Sequence, residues 1–152
     1  MHTYLCEWLS SERFRYLILT YTIPKNASEK PFLDLALTPD GNSALATSTD
    51  RTMTLYDLRT SPSSLSASSA SFQHPSTPSC VSVGENNSHQ VVTGAYDGVV
   101  RVWDLRSTKG AMATFKAWDG AKKILSVDWK RGVVGVGGEG GLEVWKVGEE
   151  KA

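Results

Sequence analysis

AYDGVVRVWDLRS, residues 95–107, opens on an Asp-Gly turn, alternates through a short β-like run and closes on an aromatic residue followed by Asp-Leu-Arg. STDRTMTLYDLRT (48–60) and GEGGLEVWKVGE (138–149) have the same plan. Aligning Tyr56, Trp103 and Trp145 spaces them 47 and 42 residues apart. One four-stranded propeller blade repeats every about 40 to 45 residues.

Upstream of each aromatic lie two further β-like runs: 32–38 with 43–47, 80–83 with 90–93, and 124–129 with 133–136. Turn residues separate them, as in Pro39-Asp40-Gly41-Asn42, Glu85-Asn86-Asn87-Ser88, Asp97-Gly98 and Gly140-Gly141. No stretch keeps the i, i+3, i+4, i+7 apolar spacing of a long helix, so the fold class is all-β. A fourth strand per blade fits 70–73 and 111–117, and 16–23 fits the outer strand of a preceding blade. None fits after Val147, five residues before the end. The expected organisation is a non-repeat segment at 1–13, then a partial propeller over 14–152 with blades at about 30–73, 74–117 and 118–148. A ring needs about four to eight blades to remove its exposed edges, so about three blades make an incomplete ring. The expectation is the C-terminal part of a longer protein, or a truncated gene model whose opening MHTYLCEWLSSER is foreign to the fold.

These residues resemble WD repeats, the second repeat most fully. It offers His74 before its first strand, Thr93 in the second, Asp97 in the next turn and Trp103-Asp104 closing the third. The resemblance implies a structural tetrad in which Asp97 accepts from the His74 imidazole, relayed through Thr93 to the Trp103 indole N–H. The first repeat departs from it with Tyr56 and no His near Lys30; the third has Trp118 at the His position, Glu139 for the Asp and Lys146 after Trp145. Those two blades are expected to be weaker. The weak YDLR repeat, the strong WDLR repeat and the ending KILSVDWKRGVVGVGGEGGLEVWKV together resemble the C-terminal end of the eukaryotic ribosome-biogenesis WD-repeat family of the PeBoW complex. That resemblance implies a nucleolar and nucleoplasmic, non-enzymatic scaffold on large-subunit precursors, with pescadillo-like and block-of-proliferation-like protein partners. An alternative from another class is a substrate receptor of a cullin-based ubiquitin ligase, since Trp103-Asp104-Leu105-Arg106 resembles a WDxR adaptor box.

Composition narrows the remaining classes. The chain has 152 residues, 40% of them hydrophobic and 21% charged, enough for one globular unit. Its 16 Lys plus Arg cancel its 16 Asp plus Glu, which excludes a polybasic or acidic-tail protein. Cys6 and Cys80 have no CxxC neighbour, and three histidines show no ligand spacing, so neither a disulfide framework nor a metal site is expected. The apolar run 16–23 is too short to span a bilayer and lacks a signal-peptide plan. Sequons at Asn26 and Asn86 read as unmodified. Residues 135–140 satisfy GxGxxG, but a strand-like run rather than a helix follows, so the glycines read as a hairpin and no cofactor is expected. His74 and Asp97 read as structural rather than catalytic, and nothing nominates a nucleophile or a small-molecule substrate.

Two surface features remain. Seven of the eleven residues from Ser61 to Ser71 are serine, which reads as a disordered insertion between strands, with Ser61-Pro62 as its phosphorylation motif. From Arg101 to Arg131 there are eight Lys or Arg against three Asp. Loops joining strands one to two and three to four share a face of a blade, which groups Arg59, Arg106, Lys109, Lys130 and Arg131 on one rim. These five are the candidate contacts for a partner or for RNA phosphates.

Overall fold

Branched and small side chains fit a pleated surface, while Gly, Asp and Asn take the tight connections, so the runs between turn signals become strands. The computed structural model describes residues 8–11, 14–17, 30–59 and 70–147, with side chains from residue 30 onward. Strands β1 (Trp8–Ser11) and β2 (Phe14–Leu17) pair antiparallel as a sheet of their own. Blade 1 is β3 (Phe32–Leu37), β4 (Ser43–Ser48), β5 (Thr52–Asp57) and β6 (Ala70–Gln73). Blade 2 is β7 (Pro78–Val83), β8 (Gln90–Ala95), β9 (Val99–Asp104) and β10 (Ala113–Lys116). Blade 3 is β11 (Ile124–Lys130), β12 (Val133–Gly138) and β13 (Gly141–Lys146). Every blade is an antiparallel meander in sequence order, and there is no helix among the described residues.

One expectation shifts at the start of the chain. Of the strand read over 16–23, only Tyr16 and Leu17 are described, and they close β2, which begins at Phe14. Its partner β1 lies inside the segment read as non-repeat, so that segment contains a strand. The rest of that run, Asn26 and most of the serine-rich stretch (60–69) lie outside the described residues.

The period-2 alternation of a strand decides which blade each side chain meets. Leu45, Met53 and Phe72 of blade 1 pack on Val81, Val91 and Trp103 of blade 2. Alternate positions of blade 2, Cys80, Val92 and Val100, pack on Ile124, Val134 and Val136 of blade 3. Blade 2 is therefore covered on both faces, and Val91 to Ala95 of β8 are buried without a break. Gly94 marks the closest approach: a Cβ there would collide with the Ile124 side chain and lie 2.8 Å from Cys80 Sγ.

The innermost strand of each blade has one edge without a ladder, and polar side chains of the preceding blade satisfy part of it. Asp34 Oδ2 accepts from Val81 N at 2.9 Å, and Ser82 Oγ accepts from Trp129 N at 3.0 Å. The described blades form an open stack. On blade 1, Leu35 and Leu37 share the face opposite Ala36, which packs towards blade 2, and are 60% and 59% exposed. On blade 3, Leu142 and Val144 face away from blade 2 and are 76% and 64% exposed. Incomplete closure thus exposes sheet faces as well as strand edges.

Candidate functional site

The buried polar groups of the molecule converge where blade 2 meets blade 1. Trp103 Nε1 donates to Thr93 Oγ1 at 2.9 Å, and Thr93 Oγ1 lies 2.9 Å from His74 Nε2. His74 Nδ1 lies 3.1 Å from the Phe72 carbonyl oxygen. A carbonyl only accepts, so Nδ1 carries the ring proton, Nε2 accepts from the Thr93 hydroxyl, and the hydroxyl oxygen accepts from the indole. Each member has a partner. Burial pushes the His74 pKa down to about 4, which keeps the ring neutral and the relay in this sense.

Asp97 stands elsewhere than the sequence reading placed it. Its carboxylate accepts from Arg101 Nη2 at 2.6 Å and from Val99 N at 3.1 Å, while the Phe72 carbonyl takes the imidazole proton. The Arg101 side chain is only 8% exposed, and a buried guanidinium needs a counter-charge more than a neutral imidazole does. Burial raises the Asp97 pKa, but the hydrogen bond and charge of Arg101 outweigh it and the pKa ends below its ordinary value.

Ladder register shows what the other blades have instead. Thr93 stands two residues beyond Val91, the rung partner of Trp103; Ala46 and Val136 stand at the same offset from the partners of Tyr56 and Trp145. Neither has a hydroxyl to relay. The Trp145 indole donates to Glu143 Oε2 at 2.8 Å instead. Trp118 lies flat against Gly138 and Gly140, where any Cβ would meet its ring. Thr47 Oγ1 is buried with no hydrogen-bond partner among the described residues.

On the rim, the structure splits the five basic candidates. In Asp57-Leu58-Arg59, Asp57 accepts from Arg59 N at 2.9 Å, from Nε at 3.0 Å and from Nη2 at 2.7 Å. Asp104-Leu105-Arg106 repeats this clamp, with 2.9 Å to Arg106 N and 2.7 Å to Nη2. Side-chain and backbone bonds from the arginines hold both carboxyls down at about 2. Arg59 and Arg106 are therefore neutralised within their own turns. Lys109, Lys130 and Arg131 have no ion pair among the described residues. They lie in the β9–β10 connection, at the end of β11 and in the β11–β12 turn. Arg131, at φ 50, lines a cleft of about 620 Å³ with Glu85, Asn86, Asn87, Met112 and Trp129. Strand ends of blades 2 and 3 thus share one face.

Residues 66–104, which carry the whole relay, match the family model described as WD domain, G-beta repeat. This is a WD-repeat chain. It is 72% identical over 135 residues to ribosome biogenesis protein YTM1 of Laccaria bicolor, covering 88% of this chain and 29% of that protein. To the protein of the same name in Coprinopsis cinerea it is 70% identical, over 82% of this chain and 28% of that one. The ribosome biogenesis protein WDR12 homolog of Ixodes scapularis is 30% identical over 70% of this chain and 24% of its own length. The WD-repeat chain spans under a third of the length of these relatives.

Among the described residues of the WD-repeat chain, no group of three His, Cys, Asp or Glu is placed to hold a metal ion, and no helix is long and apolar enough to cross a membrane. Burial pushes the Cys80 thiol up to about 11, away from nucleophilic chemistry. Cys6 lies outside the described residues. Sequence reading missed Arg101 and the two Asp-Leu-Arg clamps. Both had a signal: Arg101 follows Asp97 by four residues across one hairpin, and the Asp-x-Arg spacing occurs twice.

Proposed function

We propose that the chain is a non-enzymatic scaffold of large-subunit ribosome biogenesis, docking protein partners on preribosomal particles and supporting rRNA processing. The observation that carries this reading is the 72% identity to a ribosome biogenesis protein across 88% of the chain. The partners are pescadillo-like and block-of-proliferation-like proteins, and the location is the nucleolus and nucleoplasm. A blade stack suits the task, because rigid sheets hold several loops on each face in fixed relation. Lys109, Lys130 and Arg131 are the rim cations available for rRNA phosphates, whereas Arg59 and Arg106 are held by their own aspartates.

The test is purification of the tagged protein expressed from its own locus. Pescadillo-type partners and large-subunit rRNA precursors are expected in the material, and depletion stalls large-subunit maturation. Reversing Lys109, Lys130 and Arg131 together weakens RNA association and lowers its salt slope by about one unit per lost phosphate contact. Recovery of a cullin adaptor with no preribosomal component overturns the reading.

A further inference from the structure

Phe72 and Phe115 hold the same place in successive blades. Phe72 of β6 pairs with Met53, and Phe115 of β10 pairs with Val100, the corresponding rung of its blade. Each ring rests on an aromatic of the next blade, Phe72 on Trp103 with centroids 5.9 Å apart and Phe115 on Trp145 at 6.0 Å. Yet Phe72 is 0% exposed and Phe115 is 47% exposed. Over the first cluster closes the part of blade 2 that leads into its fourth strand, including Leu105 and Ala111. Blade 3 has three described strands, and β13 has no described neighbour on its outer side.

The open edge of β13 is defined by register. Val147 N donates to Gly132 O at 2.7 Å, so the alternation of an antiparallel ladder turns the N–H and C=O groups of Leu142, Val144 and Lys146 outward. In blade 2 the matching group is in use: Val102 O accepts from Met112 N at 2.7 Å. Beside the open edge lies a cleft of about 640 Å³ whose apolar lining is Phe115, Trp145 and Val147. Lys116 and Lys146 also line it, and no acidic side chain among the described residues does.

We propose that this cleft receives a fourth strand from a partner protein, an extended acidic segment that hydrogen-bonds along β13. A small apolar side chain of that segment covers Phe115 and Trp145, as Ala111 joins the cluster around Phe72 and Trp103 in the preceding interface. Its carboxylates meet Lys116 and Lys146. Main-chain pairing supplies affinity in such strand addition, and side chains of one parity supply specificity. The proposal deepens the scaffold reading and rests on it for the partner's being a protein; a synthetic segment tests the cleft without any preribosome, so the two fail separately.

The experiment measures fluorescence anisotropy of a short labelled peptide alternating glutamate with valine and alanine, added to the chain. Saturable binding is expected, at least about tenfold tighter than that of the same peptide with lysine for glutamate. Val144→Pro removes an outward N–H and leaves the ladder to β12 intact, so it weakens binding by at least about tenfold. Lys116→Glu with Lys146→Glu inverts the preference towards the lysine peptide, an outcome that misfolding does not produce. Equal binding of the two peptides, or none, overturns the proposal. Slow hydrogen exchange at the Val144 amide before peptide is added also overturns it, because the edge is then already paired within this chain or by a second copy.

Discussion

Trp103 packs a large ring between two blades and donates to the only hydroxyl in the relay. Trp103→Ala is expected to cost about 3 to 5 kcal/mol, adding a cavity to a weakened Thr93–His74 pair. Tyr56→Ala costs less, because Ala46 stands at the Thr93 position of its blade and no relay is broken. Equal shifts in urea midpoint for the two variants would count against the relay. Thr47 presents the opposite case: its buried hydroxyl has no partner among the described residues, so Thr47→Val is expected to stabilise by about 1 kcal/mol in the same assay. His74 gives a pH signature. Its folded-state pKa of about 4 lies below the ordinary 6.5, so the unfolded chain binds more protons between those values. Stability is full above 6.5 and is lost as pH falls towards 4, by about 3 kcal/mol. Asp57 and Asp104, held down at about 2, contribute stability that is lost only as pH falls below the ordinary 3.8. The two windows are separable, and His74→Gln should flatten only the upper one in a melting series.

Strand pairs in this molecule are set by glycines as much as by apolar residues. Gly140 ends the β12–β13 turn against the Trp118 ring, and Gly138 meets the same ring together with the Lys123 backbone. Gly140→Val therefore displaces Trp118. Overpacking of this kind costs about 1 to 3 kcal/mol and should appear as a red-shifted tryptophan emission with a lower melting temperature. The GxGxxG pattern of 135–140 is thus explained by packing, with the β12–β13 turn where a phosphate-binding motif would open a helix. The Asp-Leu-Arg turns follow a similar local logic, since one carboxylate takes both the backbone N–H and the guanidinium of the residue two positions on.

The stack of blades leaves apolar sheet faces at both ends, Leu35 and Leu37 on blade 1 and Leu142 and Val144 on blade 3. Within the stack, faces of these two kinds already pack on each other twice, so copies are able to associate head to tail. The isolated 152-residue chain is expected to self-associate with rising concentration in light scattering. Leu35→Glu with Leu142→Glu should shift it towards monomer. A monodisperse monomer with a cooperative melt before any substitution would mean that these faces are covered.

Strand positions, turn positions, the blade period and the Trp103–Thr93–His74 alignment were all legible in the residues, because each depends on neighbours within one repeat. The period-2 alternation of VVRVWD and the Asp-Gly turn before it are local facts, and local facts survive without coordinates. Asp97 was misjudged because its partner depends on burial: the Arg101 guanidinium loses water between the blades and takes the carboxylate, while the Phe72 carbonyl takes the imidazole proton. Register across strands, absent from any linear pattern, places Ala46 and Val136 opposite Thr93 and strands the Thr47 hydroxyl. Phe72 and Phe115 are the same residue in the same strand position, and only the stacking of a three-stranded blade beside a four-stranded one makes the first core and the second surface.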